Sequence, residues 1–186
     1  MFFPYKDDNP RLLVPFVTYT IIALNLIVFF YQIGLDFAAG QEFTLSFGLI
    51  PATFTDLQRG DITIAYSQYL SEATNSRIFL NTVPNSPYLT VFTSMFMHGG
   101  IMHLFGNMLF LWIFGANVEG ALGHINFTIF YILCGIGAAA GQLLIDVNSL
   151  VPMIGASGAI SGVLAAYMLS YPRARILTFV FLFVIF

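Results

Sequence analysis

Charged residues are so widely spaced in this sequence that long uncharged stretches separate them. The uncharged stretches contain 24 residues after Arg11, 41 after Arg77, 26 after Glu119 and 26 after Asp146. Because an ionised side chain is costly in the hydrocarbon core of a bilayer, apolar stretches of this length indicate membrane spans. A helix of about 20 apolar residues crosses a bilayer. We therefore predict an integral membrane protein with helices near residues 13–33, 101–118, 125–145 and 154–171.

The composition agrees with a membrane protein rather than a water-soluble one. Hydrophobic residues make up 58% of the 186 residues and charged residues 8%, whereas a soluble domain has about 25% charged residues. The formal net charge is −3, and the sequence has no basic cluster that would attract the phosphates of nucleic acid. We therefore predict a single membrane domain over residues 1–186 that lies in a lipid bilayer and does not bind nucleic acid.

A fifth apolar stretch, residues 176–186, follows the last basic residues. Its 11 residues are about half the length that a membrane helix needs. A helix that ended inside the bilayer would leave its last carbonyl groups without hydrogen-bond partners. We therefore expect an all-α polytopic bundle with four complete helices and part of a fifth, and we expect the native protein to continue beyond Phe186.

Basic residues near the ends of the spans orient the chain in the membrane. Lys6 and Arg11 precede the first predicted span, and Arg173 and Arg175 follow the fourth. Four spans place both pairs on the same side, which the positive-inside rule assigns to the cytoplasm. Residues 34–90 then form a long external loop. This loop is too long to be a simple connection, and its apolar content suggests that it folds back onto the membrane surface.

Two polar side chains lie inside the second predicted span. His103 and Asn107 are four residues apart, which places them on one face of a helix, one turn apart. Such residues either join helices through hydrogen bonds or belong to a functional site, and the pair alone does not decide between these roles. His98 precedes them, but no Cys, Asp or Glu nearby in the sequence completes a metal site, so we expect no bound metal. We expect His98 to fix the loop that leads into this span.

Ser157 lies among small residues at the start of the fourth predicted span. The segment GASGAISG is typical of close helix packing in membranes, so the serine alone does not establish a nucleophile. Acyl transfer requires a nucleophile, a base and hydrogen-bond donors for the developing oxyanion. Ser157 can supply the nucleophile and one backbone N–H donor. His103 and Asn107, on a facing helix at a similar depth, can supply two more donors, and Gly155 leaves room for a substrate carbonyl.

Three motifs, in this order along the chain, resemble the rhomboid family of intramembrane serine proteases. They are HGGIMHLFGN at residues 98–107, GANVEGALG at 115–123 and GASGAISG at 155–162. FGLIPATF at 47–54 and YPRAR at 171–175 also resemble bacterial members, so the resemblance covers nearly the whole chain. It implies a six-helix bundle in which a shorter fourth helix raises the serine into a water-filled cavity open to the outside.

The resemblance also assigns roles to individual residues. It implies that Ser157 is the nucleophile and that His103 and Asn107 line the oxyanion hole. We expect Gly155 and His98 to contact the substrate. The other residues of these motifs are expected to be structural, namely Gly115, Glu119, Gly123, Gly158 and Gly162.

The implied activity is endopeptidase cleavage of single-pass transmembrane proteins near the external membrane face, without a cofactor. The family's general base is a histidine on the sixth helix, which this sequence does not reach. None of the three histidines present replaces it well, because His124 lies at the cytoplasmic turn and His98 and His103 begin the second span. We therefore expect residues 1–186 alone to be inactive, and the full-length protein to be a protease of a bacterial inner membrane with a cytoplasmic N-terminus.

Two other functions remain open from the sequence. A catalytically inactive rhomboid-like protein would bind transmembrane helices without cutting them, although it would need none of Ser157, His103 and Asn107. A channel or transporter would use His103 and Asn107 as a polar path. The sequence has no paired carboxylates or arginines within its spans and no internal repeat, which argues against this third function.

Overall fold

The structure of the chain is a computed structural model that describes residues 2–9, 13–55 and 57–180. Arg11, Asp56 and residues 181–186 lie outside the described residues, and so do the parts of the sequence predictions that concern them. Within the described residues the chain forms seven α-helices and one two-stranded antiparallel sheet. In chain order the elements are β1 (Phe2–Asp7), α1 (Phe16–Ile33), α2 (Phe37–Phe47), a 3₁₀ turn (Pro51–Phe54), α3 (Arg59–Thr74), α4 (Pro87–Thr93), a second 3₁₀ turn (Ser94–Phe96), α5 (Ile101–Leu122), α6 (His124–Ile145), α7 (Ser157–Ser170) and β2 (Ile176–Val180).

Four apolar helices form the membrane bundle and confirm the predicted helical membrane fold. The helices α1, α5 and α6 have 18, 22 and 22 residues and are long and apolar enough to cross a bilayer. The 14 residues of α7 make a helix about 21 Å long, which is shorter than the hydrocarbon core of about 30 Å. This helix begins at Ser157 rather than at the predicted residue 154, because Gly155 has a φ of +122° that a right-handed helix does not contain.

The second membrane helix, α5, is longer than predicted and contains one irregular turn. Residues Leu111–Gly115 form a π-helical turn between two α-helical halves, Ile101–Phe110 and Ala116–Leu122. A π turn accommodates one extra residue within a helix. Gly123 then ends the helix with a φ of +76°, a left-handed conformation that favours glycine.

The segment 34–90, which the sequence predicted to be a long external loop rather than a simple connection, contains helices. It contains α2, α3 and the start of α4, and its buried residues form a hydrophobic core separate from that of the membrane bundle. Helix α3 contributes Ile62, Tyr66 and Leu70, which recur every four residues and so share one face. Polar residues lie between them, so the mean hydropathy of the segment does not reveal this pattern. The segment is therefore a small helical layer next to the bundle rather than a connection.

The prediction of a fifth helix is wrong for the described part of that stretch. Ile176–Val180 forms β2, which pairs antiparallel with β1. Tyr5 stacks on Phe179 across this pair with 4.4 Å between the ring centroids. Ile, Thr, Phe and Val favour extended backbone as well as burial in a membrane, so composition alone does not separate the two structures. Pairing of the two strands provides partners for their backbone N–H and C=O groups.

Small residues allow α6 and α7 to approach each other closely. Gly158 and Gly162 lie one turn apart on α7, and Ala138 and Cys134 lie one turn apart on α6. A β carbon added to Gly158 would overlap Ala138, and one added to Gly162 would overlap Cys134. Close contact through small residues is a common way for membrane helices to associate. This seam fixes how α7, with Ser157 at its start, lies against α6.

Glu119, near the end of α5, caps the first turn of α1. Its side chain is fully buried. Oε1 accepts the N–H of Val17 at 2.9 Å, and Oε2 accepts the N–H and the hydroxyl of Thr18 at 2.8 Å and 2.7 Å. His124 Nδ1 lies 2.6 Å from Oε1. The first N–H groups of a helix have no partners within it, and the helix dipole favours a negative charge there, so Glu119 joins α1 firmly to α5.

A second buried carboxylate holds the N-terminal segment against the same end of the bundle. Asp7 Oδ2 accepts a hydrogen bond from Asn117 Nδ2 at 2.7 Å and another from the Tyr167 hydroxyl at 3.0 Å. Asn117 belongs to α5 and Tyr167 to α7, so Asp7 ties β1 to two membrane helices. Lys6 in β1 and Arg175 just before β2 therefore lie at one end of the bundle.

We expect Glu119→Gln to lower the free energy of unfolding by about 2–4 kcal/mol, because it removes the charge and can point an amide NH₂ at the buried N–H donors of α1. Equilibrium unfolding in detergent micelles measures the change. Glu72→Gln, at an exposed carboxylate on α3, is the control and should change stability by less than about 0.5 kcal/mol. Equal effects of the two substitutions would contradict the capping role of Glu119.

Candidate active site

The turn before α7 presents Ser157 at the end of the bundle opposite Glu119. The chain reaches this turn in an extended conformation, because Met153 and Leu49 exchange backbone hydrogen bonds of 2.8 Å and 3.2 Å. Gly155 then turns the chain and donates its N–H to the Ser94 carbonyl at 2.9 Å. Ser157 follows as the first residue of α7 and is exposed.

His103 and Asn107 on α5 face the turn at Gly155. A β carbon on Gly155 would lie 2.8 Å from His103 Cε1, 2.9 Å from His103 Nε2 and 3.6 Å from Asn107 Nδ2. His103 is exposed, whereas Asn107 is buried. The structure therefore brings these two side chains together at a glycine that lies two residues before Ser157.

His98 is the buried neighbour of both side chains. Its Nε2 lies 2.9 Å from Asn107 Nδ2, and its ring meets the His103 ring edge-on with centroids 5.0 Å apart. His98 is 2% exposed, and its burial, assisted by the adjacent His103, lowers the pKa of His98 to about 4. The ring is neutral at pH 7, so one of its nitrogens carries a proton and the other accepts a hydrogen bond.

Gln32, near the end of α1, forms hydrogen bonds with both the backbone N–H and the carbonyl of residue 98. Gln32 Oε1 accepts the N–H of His98 at 3.1 Å, and Gln32 Nε2 donates to the His98 carbonyl at 3.4 Å. The sequence reasoning missed Gln32. A signal was available, because Gln32 is a polar residue within an apolar span, as His103 and Asn107 are.

The remaining predicted site residues lie in helix contacts elsewhere. Glu119 caps α1, and Gly115, one turn before it on α5, faces α1 so closely that a β carbon would lie 3.3 Å from Thr18 Oγ1. Gly123 forms the left-handed turn that follows α5. Gly158 and Gly162 lie in the seam with α6.

A cleft of about 570 Å³ adjoins the site on the side of α1 and the 34–90 segment. His98 and Ile154 line it next to the site, and Gln32, Asp36 and Tyr66 line it farther out. Its wall combines apolar side chains with amide, carboxylate and hydroxyl groups. Of the site residues, the cleft touches His98 and Gln32.

Hydrogen-bond donors lie on both sides of the turn at Gly155. Asn107 Nδ2 carries a second hydrogen besides the one that points to His98. The first N–H groups of α7, which begins at Ser157, have no partners within the helix. Within the part of the chain that the structure describes, no group of three or more His, Cys, Asp and Glu side chains could hold a metal ion. Acyl transfer uses hydrogen-bond donors near a nucleophilic hydroxyl.

Comparison with known proteins places these features in one family. The rhomboid domain family matches residues 85–186. The chain is 37% identical over 97 residues to Rhomboid protein 1, mitochondrial, of Saccharomyces cerevisiae, which covers 50% of this chain and 28% of that protein. It is 41% identical over 76 residues to Rhomboid protease GluP of Bacillus subtilis, with 41% of this chain and 14% of that protein covered. It is 30% identical over 98 residues to Presenilin-associated rhomboid-like protein A, mitochondrial, of Danio rerio, with 52% and 26% covered.

The chain thus spans less than a third of the length of the curated relatives that it matches. These relatives are mitochondrial as well as bacterial, so they do not single out a bacterial type. No solved structure matches the chain. The rhomboid domain match extends over more than half of the sequence and contains His98, His103, Asn107, Gly155 and Ser157. Together with the helical membrane bundle, it shows that the chain belongs to the rhomboid family.

Proposed function

We propose that the full-length protein is an intramembrane serine endopeptidase that cleaves single-pass transmembrane proteins near the external membrane face. The observation that carries this proposal is the convergence of His103 and Asn107 on the glycine turn that presents Ser157. The printed name of the Bacillus subtilis relative describes it as a rhomboid protease, which supports the proposal. An inactive rhomboid-like protein that binds transmembrane helices is the alternative.

In the proposed reaction the Ser157 hydroxyl attacks the carbonyl carbon of the scissile peptide bond. A general base takes the hydroxyl proton, and the carbonyl oxygen becomes an oxyanion. Asn107 Nδ2, the His103 ring N–H and the backbone N–H of Ser157 donate to that oxyanion. The base then protonates the leaving amine, and water hydrolyses the acyl-enzyme in the reverse sequence of proton transfers.

The general base in this proposal is a histidine outside residues 1–186. His98 has its Nε2 directed to Asn107, His103 faces the oxyanion position, and His124 lies at the other end of the bundle beside Glu119. Loss of one member of a nucleophile–base unit removes most of the catalysis. We therefore expect residues 1–186 alone to show no cleavage.

The proposed orientation places the N-terminus in the cytoplasm of a bacterial cell. Lys6 and Arg175 lie at one end of the bundle, and the positive-inside rule assigns that end to the cytoplasm. Ser157 lies at the opposite end, and the 34–90 layer lies there as well. The relative from Bacillus subtilis supports a bacterial source, whereas other relatives are mitochondrial.

We expect Ser157→Ala to abolish labelling of the detergent-solubilised full-length protein by a fluorophosphonate, because the reagent forms a covalent bond with an activated serine oxygen. In-gel fluorescence measures the label. Ser161→Ala, one turn along the same exposed face of α7, is the matched control and should retain most of it.

Labelling that survived Ser157→Ala would contradict the proposed nucleophile. A folded wild-type protein that took up no label and cut no transmembrane substrate would favour the helix-binding alternative.

We expect Gly155→Ala to reduce the cleavage rate at least about 100-fold, because it displaces His103 and opposes the φ of Gly155, and loss of one oxyanion donor alone costs a factor of this order. Cleavage of a fluorogenic transmembrane peptide measures the rate. Gly106→Ala, on α5 where an added β carbon meets no atom within 4 Å, should leave the rate within about threefold. An active Gly155→Ala variant would show that His103 is not needed at this position.

A further inference from the structure

We propose that His98 is a positioning residue that holds the side-chain amide of Asn107 with its N–H groups, rather than its oxygen, toward the reacting carbonyl. This inference rests on the proposed function, because it concerns the donor that stabilises the oxyanion. It assigns His98 a role different from the substrate contact that the sequence suggested.

The amide of Asn107 has two ends that differ greatly in their effect on an oxyanion. Its NH₂ end donates hydrogen bonds and its oxygen only accepts them, and the two ends are almost equal in size. Nδ2 lies 2.9 Å from His98 Nε2 and 3.6 Å from the point where a β carbon of Gly155 would lie. If the amide rotated by half a turn, its oxygen would face the oxyanion and repel it. Some neighbour must therefore select the NH₂ end.

A neutral His98 with its proton on Nδ1 makes this selection. Asn107 directs its Nδ2, which only donates, to His98 Nε2 at 2.9 Å, so Nε2 is the acceptor and the proton of the neutral ring lies on Nδ1. Nδ1 is the ring nitrogen that Asn107 does not use, and it is buried without a hydrogen-bond partner among the described residues. A proton on Nδ1 leaves Nε2 as an acceptor, which attracts the NH₂ end of Asn107 and repels its oxygen. Burial also keeps the ring neutral at pH 7, since the pKa of His98 is about 4.

The position of His98 is fixed from two further directions. Gln32 holds its backbone N–H and carbonyl at 3.1 Å and 3.4 Å, and the His103 ring packs edge-on against its imidazole. The backbone that carries the acceptor is thus anchored to α1, and the His103 ring packs against the imidazole itself. An anchored acceptor imposes orientation, whereas a mobile one would adapt to either amide rotamer.

Steady-state cleavage of a transmembrane peptide by the full-length protein tests the inference. His98→Leu removes the acceptor, and we expect kcat to fall at least about tenfold while KM changes less than about twofold, because an oxyanion donor acts in the transition state. Asn107→Ala should lower kcat by at least as much. Since His98 acts through Asn107, the double variant should have the kcat of Asn107→Ala alone.

His98→Gln is the conservative variant. Its side-chain carbonyl extends to about the place of the imidazole Nε2 and can accept the same hydrogen bond, so most of the kcat should return. Gln32→Ala offers the same test with His98 retained, and its loss of kcat should also disappear in the Asn107→Ala background. Asn126→Ala, at an exposed amide on α6 that donates to the Leu122 carbonyl at the end of α5, is the control and should leave kcat within about twofold.

The inference would be overturned if the effects of His98→Leu and Asn107→Ala multiplied, or if His98→Leu raised KM and left kcat unchanged. Equal kcat values for His98→Leu and His98→Gln would overturn it as well. If His98→Leu does not fold, the Gln32→Ala cycle decides the question by the same criteria.

Cleavage by wild type and its loss in Ser157→Ala are measured first. A failure at that step rejects the proposed function and the inference with it, whereas a failure only in the His98 cycle rejects the inference alone.

Discussion

The buried carboxylate of Glu119 is the interaction on which the arrangement of the bundle depends. It gives α1 the hydrogen-bond partners that the start of a helix lacks, and it supplies them from α5. A helix held only at its first turn could still swing at its far end, so a second contact is needed there. At that far end Gln32 holds the backbone of His98, which contacts Asn107. Glu119 at one end of α1 and Gln32 at the other therefore connect this helix both to α5 and to the candidate site.

Two different kinds of contact position the two halves of the site. Hydrogen bonds that join α1, the loop before α5 and α5 itself set the positions of His103 and Asn107. Close contact of small side chains sets α7, because Gly158 and Gly162 lie directly against Ala138 and Cys134 of α6. Next to Ser157 the two systems meet at Gly155, where the turn before α7 touches the His103 ring. A change in either system alters the distance between Ser157 and its proposed oxyanion donors.

The sequence predicted the membrane helices well, because the energetic cost of charge in hydrocarbon makes uncharged stretches informative. The i, i+4 spacing of His103 and Asn107 also predicted that they share a face. The sequence did not predict two other features, and the reasons are physical. Residues 176–180 are rich in types that suit either a membrane helix or a strand, and only the partner strand decides between them. The contact of His98 with Asn107 depends on how a loop folds back onto a helix, which no residue spacing expresses.

The π turn in α5 has a consequence for the rotation of that helix. Asn107 and Glu119 are 12 residues apart, and at about 100° per residue an ideal α-helix would leave them about 120° out of phase. The π turn at Leu111–Gly115 absorbs one residue, which reduces the difference to about 20°. Both side chains are thereby turned toward the α1 side of the bundle, Glu119 to its first turn and Asn107 through His98 to its last. With one additional residue in its middle, α5 can hold the neighbouring helix α1 near both of its ends.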